Sequence, residues 1–377
     1  MDSGVVDVAV RRLFPGACTV AGRAYEVAPE GRFWVIPGRR GPRWIVPQNP
    51  RHGWPALKDW RPYHPSSRRK WALLTAAYRT GNLGHVPGIE ALGVAGDTEW
   101  SRLGWNGAAA PVPAVYIGTP GPARKAVATL VAGDTRTPTS VVKAPLGPRA
   151  AGRVLREAEM LERLAVEKPG MAPRIVCADR KRGVTVQEPV VGRLSGRRLS
   201  GAHLAWLARL HGGDGETALT VHVERLQSRL VALDAADREA SDQIARTLDA
   251  IADPATLPVG WVHGDFAPWN LKWLGRGRLA AIDWEAARPD GLPLQDLFHF
   301  HFVQAFLLGT RSGLKAFSTL PPALSQFAES AGVGAALWRK LLLFYLAEAW
   351  VERMEEDEAD HAAFLAARIA QELAEPT

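Results

Sequence analysis

Cysteine is nearly absent: the 377 residues hold two, Cys18 and Cys177, far apart in the chain. Two distant thiols build neither a disulfide framework nor a cysteine metal cluster, so a reducing cytoplasm is the expected setting. The opening residues, MDSGVVDVAVRRL, lack a basic stretch followed by an apolar run, so no secretory signal is read there. No stretch approaches the ~18 uninterrupted apolar residues of a membrane span. Internal repeats and low-complexity tails are missing too. What is present is a chain that is 47% hydrophobic, with fourteen tryptophans, enough for a sizeable core and two or three domains. The formal charge is +7. A basic balance attracts nucleic acid, anionic lipid or phosphorylated ligands. Much of the excess is arginine in an Ala-, Gly- and Pro-rich chain, and no recognition motif accompanies it, so specific nucleic-acid binding is not expected.

Three segments are read along the chain: 1–105, 106–192 and 193–377. In the first, RFWVIPG and PRWIVPQ flank Arg39–Gly41 as a hairpin of aromatic and β-branched strands. A Trp/Pro/Arg-rich loop follows. Ser66 or Ser67 is expected to cap a helix that Gly81 ends. Arg61, Arg68, Arg69 and Lys70 read as the solvated start of that helix rather than as an anion site. In the second segment AVYIG, KAVATLVA and SVVKAPL are strands. Val154, Leu155, Ala158, Leu161 and Leu164 mark an amphipathic helix, and RIVCADRKRGVTVQEPVVG gives two more strands. The third segment is mainly helical. The expected fold class is α+β: an antiparallel sheet carrying one helix, then a helical part, preceded by a small α/β extension.

The helices of the third segment are interrupted by WVHGDFAPWNLKWLGRGRLAAIDWE, Trp261 to Glu285. NLKWL, a GRGR turn and LAAIDW form a hairpin, which brings Asn270 close to Asp283. Two oxygen-bearing side chains at one point suit Mg²⁺, which takes one or two protein oxygens and completes its shell with water and substrate phosphates. Asp265, in the loop just ahead, can accept the proton of an attacking hydroxyl. In phosphoryl transfer a protein mainly positions groups and screens charge, so a set this small is nearly sufficient.

H-G-D-F-A-P-W-N followed by I-D-W resembles the aminoglycoside phosphotransferase/choline kinase group, small-molecule kinases with a bilobal, protein-kinase-like fold. Protein kinases carry H-R-D-L-x-x-x-N and D-F-G in these places. Here Gly264 stands where the Arg would be, and I-D-W-E replaces D-F-G, while the spacing from Asp265 to Asn270 is kept. The resemblance covers about residues 112–375 and leaves 1–105 unaccounted for. It implies ATP bound between a sheet lobe and a helical lobe, with GTP as the alternative donor. Lys143 would contact the nucleotide phosphates, held by Glu157. The loop from Gly118 through Gly121 to Arg124 would face the phosphates, although it is not G-x-G-x-x-G. Backbone groups of Gln187–Val191, including Glu188 and Val190, would read the adenine. Asn270 and Asp283 would hold Mg²⁺, Asp265 would act as base, and His263 and Asp296 would brace the catalytic loop.

Only EAARPDGLPLQ separates Asp283–Trp284 from Asp296, with no A-P-E, too little chain for a peptide platform. The expected acceptor is therefore a small hydroxyl-bearing molecule: a sugar, amino sugar, aminoglycoside or amino alcohol. The extension over 1–105 is read as a cap or partner-binding unit. The other reading is a catalytically silent, nucleotide-binding regulator, which the complete set of Lys143, Glu157, Asp265, Asn270 and Asp283 disfavours. His299 and His301 read as packing residues rather than metal ligands. Glu285 and Asp290 are balanced between substrate contact and solvent. The acidic run Glu352, Glu355, Glu356, Asp357 and Glu358 reads as a solvated face, or as a seat for a cationic acceptor. Oligomeric state is left open.

Overall fold

The computed structural model describes residues 3–374 except 15, 22–26, 29–30, 63–64, 97, 99, 106–109, 134–136, 214, 234–237 and 311–319. The chain begins with α1 (Ser3–Leu13), β1 (Cys18–Ala21), β2 (Arg32–Gly38), β3 (Gly41–Pro47), α2 (Pro50–Leu57), α3 (Pro65–Arg79) and β4 (Glu90–Ala95). Next come β5 (Val112–Ile117), β6 (Lys125–Val131), β7 (Pro138–Pro145), α4 (Ala150–Glu167), β8 (Ile175–Asp179), β9 (Val184–Gln187) and β10 (Arg193–Leu194). Then follow α5 (Gly201–His211), β11 (Gly215–Ala218), α6 (Leu219–Ala232), α7 (Arg238–Ile251), β12 (Thr256–Val262), β13 (Leu271–Trp273) and β14 (Leu279–Ala281). The chain closes with β15 (Arg288–Gly291), α8 (Gln295–Leu308), α9 (Pro322–Ser330), α10 (Ala335–Glu355) and α11 (Ala359–Ala374). The α+β class expected from the sequence is what is found. Among the described residues, no helix is long and apolar enough to cross a membrane.

Two compact units divide the chain: Met1–Ser195 with Trp269–Glu285, and Gly196–Pro268 with Ala286–Thr377. This differs from the three segments read from the sequence. β3 pairs with β5 through Trp44↔Tyr116 and Ile45↔Val115, so residues 1–105 do not form a sheet of their own. They extend one antiparallel sheet in the order β1-β4-β2-β3-β5-β6-β7-β9-β8. The physical reason is edge pairing: without β3, β5 would present a row of unsatisfied backbone groups. The β13–β14 hairpin likewise joins the first unit rather than the helical one, because β13 pairs with β10.

One face of this sheet is covered by α1, whose Val6, Ala9, Val10 and Leu13 recur at helical spacing. They pack on Ala126, Ala128 and Leu130 of β6, Val142 and Ala144 of β7, and Val184 and Val186 of β9. Each Val or Leu so buried contributes about 1.5–3 kcal/mol. A second core gathers Trp44, Leu57, Trp71, Tyr78 and Leu83 around α2 and α3, and takes up several of the tryptophans. Gly53 is required there, since a Cβ would lie 2.0 Å from the Tyr78 hydroxyl. α3 begins at Pro65, so Ser66 and Ser67 lie inside its first turn rather than capping it. Gly81, with φ +77°, follows its end as expected.

The second unit is mainly helical, around Phe298 and Phe302 of α8 and the apolar length of α10 from Trp338 to Val351. A small sheet, β11-β12-β15, is set into it. Burial pulls His203, His222 and His301 down to about 4, against about 6.5 in an unfolded chain. These imidazoles are neutral when folded and bind protons more readily when unfolded. Their contribution to stability is therefore complete above about pH 6.5 and is lost as pH falls towards 4. His301→Leu is expected to narrow the gap between thermal midpoints at neutral and acid pH. A variant that loses as many degrees as the wild type over that window would contradict this origin.

Candidate active site

The first unit concentrates charge where strand register forces it. Lys125 lies opposite Pro145, and Val127 opposite Lys143, across β6 and β7. Lys125 and Lys143 are thus diagonal neighbours on the face turned away from α1. On α4, Glu157 falls between Val154 and Leu161 on the buried stripe and is 1% exposed. Both its oxygens accept from Lys143 Nζ at 2.7 Å. Glu157 Oε1 also accepts the Trp284 backbone N–H at 3.2 Å. Asp283 Oδ1 accepts from Lys143 at 3.1 Å and from Lys125 at 2.6 Å. Glu285 completes the group through Lys125, at 2.7 Å, and Arg153, at 3.4 Å.

Burial would push Asp283 up, but the two ammonium groups override it and hold its carboxyl far below the usual range. Burial and the neighbouring Asp283 charge push Glu285 the other way, upwards. Burial disfavours the charged forms of Lys125 and Lys143, yet the surrounding carboxylates, Asp283 foremost, raise both.

The hairpin works as the sequence implied. Leu271 pairs with Ala281, and the Ile282 N–H donates to the Asn270 carbonyl at 2.8 Å. Asn270, buried, and Asp283 therefore stand at the same end of the ladder. The turn is made by Arg276 and Gly277, both left-handed.

The loop from Gly118 to Arg124 is the β5–β6 turn. The Gly118 N–H donates to the Lys125 carbonyl at 2.8 Å, and Gly121 has φ +156°. The N–H groups of Leu146 and Gly147 both donate to the Arg124 carbonyl, tying this turn to the start of α4. At Gln187–Val191 the Glu188 N–H donates to the Arg174 carbonyl at 2.9 Å, and the Glu188 side chain pairs with Arg174. The Val190 carbonyl accepts from Lys272 Nζ at 2.8 Å.

In the second unit, β12 delivers His263, Gly264 and Asp265 beside the start of α8. Asp296 accepts the N–H of His263 at 2.7 Å and of Gly264 at 2.9 Å. His263 Nδ1 accepts the Asp265 N–H at 3.2 Å. Gly264 has φ +77°, and a Cβ there would lie 2.3 Å from the Ala286 carbonyl, so only glycine fits. Phe266, fully buried, stacks on Trp206 and anchors the loop. His299 Nε2 lies 3.0 Å from Asp265 Oδ1, and the Tyr345 hydroxyl 3.3 Å from His299 Nδ1.

Three features escape the sequence reading. Lys125 sits in a strand-like run with no neighbour in sequence to mark it; only the register with Lys143 does. Glu285, balanced between two readings, is an ion-pair partner of Lys125. His299, read as packing, meets Asp265, and its spacing of three from Asp296 is the signal that was available. Asp290 pairs with Arg225. The acidic run is met by arginines of its own unit: Glu355 by Arg229, Glu356 and Glu358 by Arg353, and Glu352 by Arg288 and Arg353. Among the described residues, no group of three His, Cys, Asp or Glu side chains could hold a metal by itself.

The model of the phosphotransferase enzyme family, APH, matches residues 125–329, and the chain belongs to that family. No curated protein matches the sequence. Among solved structures, the choline kinase LicA from Streptococcus pneumoniae is similar at 15% identity, over 66% of this chain and 89% of that one, with a TM-score of 0.47. A thermostable mutant of aminoglycoside phosphotransferase APH(4)-Ia, in a ternary complex with ADP and hygromycin B, shares 15% identity over 70% and 95%, with a TM-score of 0.45. An ethanolamine kinase from Plasmodium vivax shares 13% over 69% and 81%, with a TM-score of 0.44.

Proposed function

We propose that this phosphotransferase moves the γ-phosphoryl group of ATP to a hydroxyl of a small molecule. The observation that carries the reading is the buried Lys143–Glu157 pair with Asp283 on the same ammonium. Burying such a group costs several kcal/mol per ion unless geometry and hydrogen bonds are excellent. A site poised to exchange carboxylate for phosphate explains why the cost is borne.

Lys143 would contact the α- and β-phosphates, with Glu157 fixing its direction. Lys125 adds a second ammonium for the same phosphates. Asn270 and Asp283 fit Mg²⁺ by their chemistry: one amide and one carboxylate oxygen, the latter kept ionised by the lysines beside it. Mg²⁺ held there would screen the charge on the phosphate oxygens. Asp265 accepts the proton of the acceptor hydroxyl as its oxygen bonds to the γ-phosphorus. The bond to the β,γ-bridging oxygen breaks, and its electron pair leaves with ADP.

A small acceptor is supported by the segment after Asp283. Within EAARPDGLPLQ, Arg288–Gly291 is itself strand β15, paired with β12, so that stretch is spent on the sheet. Sugars, amino sugars, aminoglycosides and amino alcohols are the classes to test. Phosphorus NMR of the protein with Mg-ATP and pooled small alcohols is expected to give a new phosphomonoester signal. Rapid phosphorylation of proteins, with no small alcohol accepted, would reject the reading.

A further inference from the structure

Helix α8 touches the catalytic loop twice from one turn. Asp296 takes the two backbone N–H groups of His263 and Gly264, and His299, three residues on and therefore on the same face, reaches the side chain of Asp265. The first contact holds the loop; the second holds the carboxylate. From α10, the Tyr345 hydroxyl lies 3.3 Å from the other ring nitrogen of His299. Tyr345 is buried, and burial keeps its phenol protonated, so this hydroxyl has a proton it can donate to Nδ1. A ring that accepts at Nδ1 donates at Nε2, and the acceptor at Nε2 is Asp265 Oδ1.

We propose that His299 is a positioning residue for phosphoryl transfer: its Nε2–H, set by Tyr345, fixes the plane of the Asp265 carboxylate so that this base meets the acceptor hydroxyl in one orientation. This rests on Asp265 being the base, as proposed above. The device is a chain of Tyr345, His299 and Asp265 lying wholly within one compact unit. A carboxylate on a loop turns about its own bonds. A donor on one oxygen restricts that freedom.

The test has one arm that needs no acceptor. Long-range proton–nitrogen NMR of the histidine-labelled full chain should show His299 as the neutral tautomer protonated at Nε2. Asp265→Asn and Tyr345→Phe should each move its nitrogen shifts. A ring protonated at Nδ1 alone would overturn the assignment. The second arm is turnover of Mg-ATP, with water as acceptor. His299→Leu, of similar bulk, should lower kcat about 10- to 100-fold with KM for ATP little changed. His299→Gln, whose amide nitrogen reaches roughly where Nε2 stands, should recover most of the loss. If His299→Leu keeps kcat within twofold of wild type, or His299→Gln is as slow as His299→Leu, the positioning role is wrong. Asp265→Asn run alongside separates the two failures: normal turnover in that variant removes the base itself, whereas a dead Asp265→Asn beside a normal His299→Leu removes only His299.

Discussion

Asp265→Asn is expected to lower kcat by about 10²–10⁴-fold, the range a positioned general base contributes. The substitution keeps the size of the side chain, and its amide still offers His299 an oxygen. It cannot take a proton from a hydroxyl. The loop is held by other groups: Asp296 on the N–H groups of His263 and Gly264, and Phe266 against Trp206. The fold should therefore survive. ATP affinity, measured by calorimetry, should stay within a few-fold, because Lys143, Glu157 and Lys125 belong to a different part of the chain. The loss should appear in kcat and kcat/KM together, the pattern of an interaction made in the transition state. Near-normal turnover would remove Asp265 from the chemistry.

Glu157→Ala should do most damage to the first unit. Glu157 is 1% exposed, its two oxygens take Lys143, and one of them also takes the Trp284 N–H. Alanine leaves a buried ammonium with Asp283 alone, an amide N–H without its acceptor, and an empty volume on α4. Breaking a buried pair by removing one partner costs about 3–5 kcal/mol. Asp283 still touches Lys143 at 3.1 Å, so a loss near ~3 kcal/mol is expected. Urea unfolding would measure it. Glu157→Gln, which keeps the volume and an acceptor for Trp284, should lose less. In both variants Lys143 loses one of its two carboxylate partners and is held less firmly, so ATP binding should weaken as well. A Glu157→Ala chain as stable as wild type would mean the pair contributes nothing net, its attraction merely offsetting desolvation.

Much of this site was legible in the sequence because it is local. Asp265 and Asn270 lie a few residues apart, and a hairpin with an evident turn carries Asn270 to Asp283. Lys143 and Glu157 were legible only through the family resemblance, which implies a lysine on that strand and a glutamate on the helix after it. The strands of β2, β3 and β5 to β9 and the helix α4 were read because alternation and helical period are written into neighbouring residues. The helix α1 carries the same period, at Val6, Ala9, Val10 and Leu13, and is not among the elements expected from the sequence.

What the residues determined by themselves was the set of candidate groups: Asp265, Asn270 and Asp283 on one short stretch, with Lys143 and Glu157 added by the family pattern. What the tertiary structure decided was pairing between distant segments. β3 beside β5 merged the first hundred residues into one sheet. The register of β6 against β7 brought Lys125 to Asp283, and one turn of α8 put His299 on Asp265. The physical reason is common to all three. Hydrogen-bond ladders and helix faces fix which residues meet only after the chain has closed long loops, and that choice is made by the burial of whole elements, not by any short run of sequence.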